Sequence, residues 1–584
     1  MALQFRIPDA VRPYAEKLKA LFDIYLEAGI FLLRRHCKEP VPTVDNNLTA
    51  SLLNIMDCYL KKYFVVEDVD DPLSPADLKQ LEQSWEPLFY FSLIWSIGCT
   101  TDPDGRHKFD TWLREQMVEN GAACQLPADG HCYDYMLKNE VGEAPSWIGW
   151  LDTIDPYSIP PKAAFNEMVV PTKDNVCYTY LLQMLTTNKK KILNTGNTGT
   201  GKTVNILRYL ENGIDPNKYI PLPLTFSAQT SANMTQDILD GKFDKRRKNT
   251  FGPPMGKQFL VLVDDMNMPA REEYGAQPPI EVLRQWMDHG GWYDRKSLVF
   301  WNIIDLVFIG AMGPPGGGKQ DITPRFLRHF NSICYTEMKD ESLVLIFSTI
   351  LTNFLTNFPA ECQETCLPIV NSTIAVYNTI RLELLPTPEK SHYTFNLRDL
   401  AKVIQGMLSA NDKRVGTAQD MTVLWIHEAR RVFADRLINK PDRQWFDNCL
   451  HTQVTEHFQK DWKEVVGEND RIFYGDYMVP GADTKIYEQV TDMEKLDAIM
   501  NEYLEDYNGQ TSAPMGLVLF TDAMEHVSRI ARIIRQPLGN ALLLGVGGSG
   551  RQSLTKLATF MAEYQLFMIE VRHRLCFVFT AFCG

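Results

Sequence analysis

The octet Gly196-Asn197-Thr198-Gly199-Thr200-Gly201-Lys202-Thr203 fits GxxxxGK[ST], a spacing suited to holding nucleotide phosphates. Its glycines let backbone N–H groups turn inward on phosphate oxygens. A helix that follows presents its positive end to the same anion. Lys202 is placed to reach the β- and γ-phosphates, and the Thr203 hydroxyl to ligate Mg²⁺. Such a site also needs a carboxylate at the end of a buried strand. The apolar run 259–263 supplies one, since it ends in Asp264-Asp265. Asp264 would hold Mg²⁺ through water, and Asp265 is the candidate base for the attacking water.

A third apolar run, 306–311, leads into Met312-Gly313-Pro314-Pro315-Gly316-Gly317-Gly318-Lys319. Those glycines could serve a second phosphate, but the prolines and the lack of GK[ST] favour a tight surface loop. Just beyond, Arg325-Phe326-Leu327-Arg328-His329 carries two arginines. Either one could act as a charge-stabilising finger in a neighbouring site, or both could decorate a surface helix.

The elements that must position these groups follow from periodicity. The octet is preceded by a strand candidate at 191–194 and followed by a helical segment at 204–210. Further strand candidates at 219–226, 259–263 and 306–309 are bounded by Gly, Pro or polar turns. Strands separated by helical segments imply a parallel sheet flanked by helices, an α/β fold. Residues 1–140 read as mostly helical, with apolar residues at three- and four-residue steps over 10–36 and 47–64. Gly142, Pro145, Pro156, Pro160 and Pro161 mark 121–160 as a boundary. Helical periodicity returns over 340–450. Residues 451–510 read as charged and irregular, and a second α/β unit opens near 515. No sustained heptad pattern is present.

Bulk properties narrow the function. With 584 residues, 45% hydrophobic and 23% charged, the chain should fold as several globular units. A net charge of -14 argues against non-specific nucleic-acid binding. The local basic run Lys245-Arg246-Arg247-Lys248 reads as a solvated loop. The twelve cysteines form no CxxC pair, and Cys362 and Cys366 lack a second pair for zinc, so reduced thiols are expected. The first residues lack the apolar core of a signal peptide. No run approaches the roughly 20 apolar residues of a membrane span. A soluble intracellular protein without a membrane partner is expected.

At these residues the sequence resembles the AAA+ ring of dynein heavy chains, specifically the axonemal, inner-arm-like class. The strings that carry the resemblance are Lys245-Arg246-Arg247-Lys248 with Phe251-Gly252-Pro253-Pro254, Val263-Asp264-Asp265-Met266-Asn267-Met268-Pro269 and Tyr274-Gly275-Ala276-Gln277-Pro278-Pro279-Ile280-Glu281. Trp292-Tyr293-Asp294 and Gly310-Ala311-Met312-Gly313-Pro314-Pro315-Gly316-Gly317-Gly318 extend them. Pro42-Thr43-Val44-Asp45 and Leu93-Ile94-Trp95-Ser96-Ile97-Gly98 carry the likeness into the first residues.

The resemblance implies an order of parts. Residues 1–140 would be the helical C-terminal part of a second AAA+ module, 150–340 the large α/β domain of a third and 341–450 its helical lid. A connecting segment, 451–510, would lead to the start of a fourth module at 511–570. From Val571 the likeness ends, leaving 571–584 as a divergent tail. Val170-Pro171-Thr172 resembles the adenine-side loop, and Arg398 in Phe395-Asn396-Leu397-Arg398-Asp399-Leu400 resembles the sensor arginine of the lid. Arg328 best matches a finger serving the second module's nucleotide, with Arg325 as the alternative.

Departures from the general AAA+ pattern bear on turnover. The catalytic glutamate position is Asp265, one methylene shorter, and the polar sensor position falls on Gly313, which has no side chain. Each weakens hydrolysis more than binding. In the fourth module's loop, Gly545-Val546-Gly547-Gly548-Ser549-Gly550-Arg551-Gln552-Ser553, Arg551 replaces the lysine and Gln552 the Mg²⁺-binding hydroxyl. Weak binding and a purely structural turn both fit it. The resemblance thus implies a regulatory ATP/ADP and Mg²⁺ site, and this chain alone should bind ATP with little hydrolysis. In a full motor the segment would serve ATP-driven, minus-end-directed movement along microtubules in the ciliary axoneme. Its partners there would be other dynein subunits, intermediate and light chains among them. The alternative is a short, non-motor nucleotide-binding protein that docks on dynein subunits.

Overall fold

Residues 259–263 are five consecutive buried apolar positions, a stretch that leaves neither face of a strand in water. Such a strand must sit inside a sheet covered on both sides. The computed structural model describes residues 12–64, 75–140, 143–155, 157–160, 163–467, 471–482, 484–511 and 513–569. It places that strand in a five-stranded parallel sheet. The strands are β1 (Ile192–Gly196), β2 (Tyr219–Thr225), β3 (Gln258–Asp264), β4 (Leu306–Met312) and β5 (Asn331–Tyr335), in the order β5-β1-β4-β3-β2.

Position in the sheet explains the composition of each strand. β4 is buried along its whole length, as a central strand must be. β2 carries Pro221 and Pro223, which lack N–H donors, and it occupies an edge. Alternate residues turn their backbone N–H groups to the same side, so both prolines blunt the open edge together. β5, the opposite edge, begins with polar residues and escapes recognition from sequence. Its outer side is covered within the same unit, where the buried Arg106 donates from Nη2 to Cys334 O at 2.6 Å and Asn54 Nδ2 donates to Asn331 Oδ1 at 3.0 Å.

The chain divides into two units, Met1–Pro161 with Val169–Ile346, and Lys162–Met168 with Phe347–Gly584. In the first unit, helices Arg12–His36, Asp45–Phe64, Pro75–Ile94 and Pro103–Glu119 share one apolar core with the sheet. Residues 121–160, read from sequence as a boundary, contain the antiparallel hairpin Tyr135–Lys138 with Ser146–Gly149. It is anchored by buried Trp150, whose Nε1 donates to Tyr133 O at 2.9 Å. The basic run departs from expectation. Asp244–Arg247 is a strand of a second, four-stranded sheet. A register shift between Lys245 and Arg247 leaves Arg246 half-buried, where its Nε donates to Pro253 O at 2.6 Å.

In the second unit, helices Cys366–Glu383, Leu397–Met407, Ala418–Phe433 and Lys440–Phe458 follow one another along the chain. The supposedly irregular 451–510 contains an 18-residue helix, Met493–Gln510, with Leu496, Ile499, Met500, Tyr503 and Leu504 buried at helical spacing. From 515 the described residues hold two helices, Thr521–Arg535 and Arg551–Met561, and no strand. Leu542 and Leu544, apolar enough for a strand, are 83% and 78% exposed. A parallel strand forms only when neighbours satisfy its N–H and C=O groups, and the described residues supply none there. The 571–584 stretch lies outside the described residues.

Candidate nucleotide site

All five strands of the parallel sheet end on one side, and the site is built from what four of them carry there. β1 ends at Gly196, which has φ 144 and no room for a side chain, since a Cβ would overlap Tyr335 O. Gly199 and Gly201 follow at φ 88 and 79, conformations that glycine adopts without strain. The loop then enters helix α2 (Lys202–Asn212), whose Ile206, Tyr209 and Leu210 are buried against the core. A second helix, α1 (Lys173–Thr187), braces it. Thr179 Oγ1 donates to Asn205 Oδ1 at 2.9 Å, and Asn205 Nδ2 donates to Tyr335 OH at 3.1 Å.

Within this cradle, Lys202 Nζ donates to Gly196 O at 2.8 Å, Asn197 O at 2.7 Å and Thr200 Oγ1 at 3.2 Å. All three acceptors are neutral, so the ammonium charge is left for an anion. Burial, and then the nearby charge of Lys319, push the Lys202 ammonium down to about 8. Thr203 Oγ1 donates to Asp264 Oδ1 at 3.1 Å, joining α2 to the end of β3. A hydroxyl and a carboxylate oxygen beside a phosphate cradle form a hard donor set that fits Mg²⁺. A nucleotide with Mg²⁺ would therefore be held by Gly199, Gly201, Lys202, Thr203 and Asp264.

The hydrolytic side is built differently. Asp265 follows Asp264 at φ 49, and its backbone N–H donates to Asp264 Oδ1 at 3.0 Å. Its carboxylate is 48% exposed and faces Lys319 Nζ at 3.8 Å. At the end of β4, Gly313 leaves a gap that Lys319 fills. A Cβ on Gly313 would overlap Lys319 Nζ and lie 3.1 Å from its Cδ. The turn that returns Lys319 is closed by paired hydrogen bonds, Gly316 N to Lys319 O at 3.0 Å and Lys319 N to Gly316 O at 3.1 Å. Buried Asn267 clamps both ends of this loop. Its Nδ2 donates to Gly313 O at 2.9 Å, and its carbonyl accepts from Gln320 N at 2.8 Å.

The remaining sequence candidates fall in several places. Val170 is buried and Pro171 half-buried, on the segment ahead of α1. Arg208 of α2 donates from Nη1 to Val169 O at 2.7 Å, tying that segment to the phosphate-loop helix. Arg328 caps a short helix, Pro324–Leu327, and pairs with Asp288 Oδ1 at 2.6 Å. Because Asn331 pairs with Ile192 and Tyr335 with Gly196, Arg328 precedes β5 at the end of the sheet opposite the phosphate loop. Arg398 belongs to the second unit, exposed in the first turn of Leu397–Met407. Arg551, also in the second unit, donates from Nη2 to Val546 O at 3.3 Å in a loop with no strand ahead of it.

Three contributors escape motif matching, namely Lys319, Asn267 and Arg208. Only Lys319 leaves a sequence trace, as a lone cation at the end of a triple-glycine turn that follows a buried strand.

The family described as "P-loop containing dynein motor region" matches residues 157–338 and thereby contains every first-unit site residue named above. "Dynein heavy chain AAA lid domain" matches 18–152, "AAA+ lid domain" 369–468 and "P-loop containing dynein motor region D4" 515–577. The chain is 46% identical over 97% of its length to human "Dynein axonemal heavy chain 1". It belongs to the dynein heavy-chain family. Human "Dynein axonemal heavy chain 3" is 40% identical over 92% of the chain, and mouse "Dynein axonemal heavy chain 12" is 40% identical over 95%. The chain spans 14% of the first of these relatives, 14% of the second and 18% of the third. As a dynein sequence it places Arg398 within the lid match and Arg551 within the D4 match, while Lys202, Thr203 and Asp264 share the P-loop region.

Proposed function

We propose that this chain is the part of an axonemal dynein ring that carries a regulatory ATP-binding site, one that holds MgATP or MgADP and turns it over slowly. The observation that carries this reading is the pairing of a complete binding side with an incomplete hydrolytic side. Lys202, Thr203 and Asp264 are in place, whereas Asp265 is short of the glutamate of the general AAA+ pattern and Gly313 presents no polar side chain. Loss of a positioned base and a polar sensor lowers the rate of the chemical step while leaving ground-state phosphate contacts intact. Residues 150–340 and 341–450 would be the large domain and lid of a third AAA+ module, flanked by the end of a second and the start of a fourth. Arg398 would act from the lid. Arg328, at the end of the sheet away from the phosphate loop, would serve the preceding module's nucleotide. In the full motor the site would tune ATP-driven, minus-end-directed movement on axonemal microtubules, in company with intermediate and light chains.

The test is a fluorescent-nucleotide titration run beside a phosphate-release assay. Tight binding that Lys202→Ala abolishes, with turnover far below one per second, supports the reading. Fast turnover that disappears in Lys202→Ala overturns the slow-turnover half, and absence of binding overturns the whole.

A further inference from the structure

We propose that Lys319 is a second cation of the phosphate site, one that reads the terminal phosphate of a nucleoside triphosphate and so makes the site prefer ATP over ADP. This rests on the nucleotide-binding reading above and goes beyond it by assigning the discrimination to one residue.

Two features of the geometry aim Lys319 at the phosphates. First, its side chain occupies the space that any side chain on Gly313 would need, at the mouth of β4, where β1 and β3 deliver the phosphate loop and Asp264. Second, the position is fixed. The turn at 316–319 is closed by two backbone hydrogen bonds, and Asn267 clamps the loop at Gly313 and Gln320. Its side chain is only 22% exposed.

Lys319 follows the end of β4 beside the end of β1, which leads into Lys202, so two cations flank one phosphate site and favour an anion between them. Asp265 at 3.8 Å is a long, half-exposed partner that cannot quench Lys319 fully. A diphosphate engages the loop and Lys202, whereas a triphosphate brings one more charged group for the second cation to neutralise. The same contact would draw Lys319 off Asp265, so the carboxylate would be released when the triphosphate binds.

The experiment uses the full 584-residue chain and fluorescent ATP and ADP analogues in Mg²⁺ buffer. The variants are Lys319→Met, Lys319→Arg and Lys202→Ala, and the melting temperature of each is checked without nucleotide. Lys319→Met should weaken ATP about tenfold and ADP less than about twofold, in keeping with one charge-assisted contact. Lys319→Arg should restore most of the preference, and Lys202→Ala should weaken both nucleotides. An unchanged ATP-to-ADP ratio in Lys319→Met, or an equal loss of both, overturns the Lys319 assignment and leaves the nucleotide reading standing. Wild-type protein that binds neither nucleotide overturns both.

Discussion

Thr203 Oγ1 donates to Asp264 Oδ1 across 3.1 Å, joining the first turn of the phosphate-loop helix to the end of the central strand β3. Both oxygens are the hard donors Mg²⁺ selects, and each holds the other in place until the ion competes for them. Thr203→Ala or Asp264→Asn should therefore lose the Mg²⁺-dependent part of nucleotide affinity, about 10- to 100-fold, while affinity in EDTA changes little. Parallel titrations with Mg²⁺ and with EDTA measure this.

The ammonium of Lys202, held down to about 8, makes binding pH-dependent. A phosphate binds the charged form, so affinity is full below that value and declines as pH rises through it. Between about pH 7 and pH 9 the charged fraction falls roughly tenfold, and the dissociation constant should rise by up to about the same factor. Lys202→Arg removes the titration and should flatten the profile between those limits.

Asp265 stands at φ 49, a backbone conformation that Asp tolerates better than longer side chains do. Asp265→Glu restores the missing methylene at a cost of order 1 kcal/mol in stability. It should raise phosphate release several-fold and no more, because Gly313 still offers no sensor. Single-turnover kinetics against wild type decide it.

Gly196 tests the geometry of the cradle itself. Gly196→Ala combines a strained φ of 144 with overlap on Tyr335 O. Unfolding of the first unit should become easier by about 2–4 kcal/mol, and nucleotide affinity should fall with it. Denaturant titration followed by intrinsic fluorescence reads the first quantity.

In the second unit, Glu428 is almost fully buried and its carboxylate depends on Arg532, with Tyr487 OH donating to it at 3.0 Å. Arg532→Met leaves that charge unpaired and should cost about 3–5 kcal/mol. The double variant Glu428→Gln, Arg532→Met should recover much of the loss, as a thermal melt of both would reveal.

Sequence made the phosphate half of this site readable because the relevant chemistry is local. Lys202 and Thr203 are neighbours, and Asp264 closes an unbroken apolar run whose burial leaves little doubt about its strand. The same logic failed for β5, where Asn331 and Ser332 break the apolar signal although Ile333, Cys334 and Tyr335 are buried. It failed for Met493–Gln510, where exposed acids masked a helical apolar stripe. Beyond 515 the reading of a second α/β unit agrees with the motor-region match there, although among the described residues its strand-like stretch has no neighbour to pair with. Lys319 was hidden for a different reason. Its role depends on a turn with three glycines at positive φ that reverses the chain, and a spacing rule that scores surface loops cannot follow the side chain back inside.

The space between Gly313 and Lys319 Nζ is shared. A side chain at the first position and the tip of the long cation at the second meet in the same volume, so a substitution at 313 obliges the Lys319 ammonium to move. A polar residue at 313 would therefore turn the Lys319 ammonium away from the strand end, so the two positions act on the site as one unit rather than two.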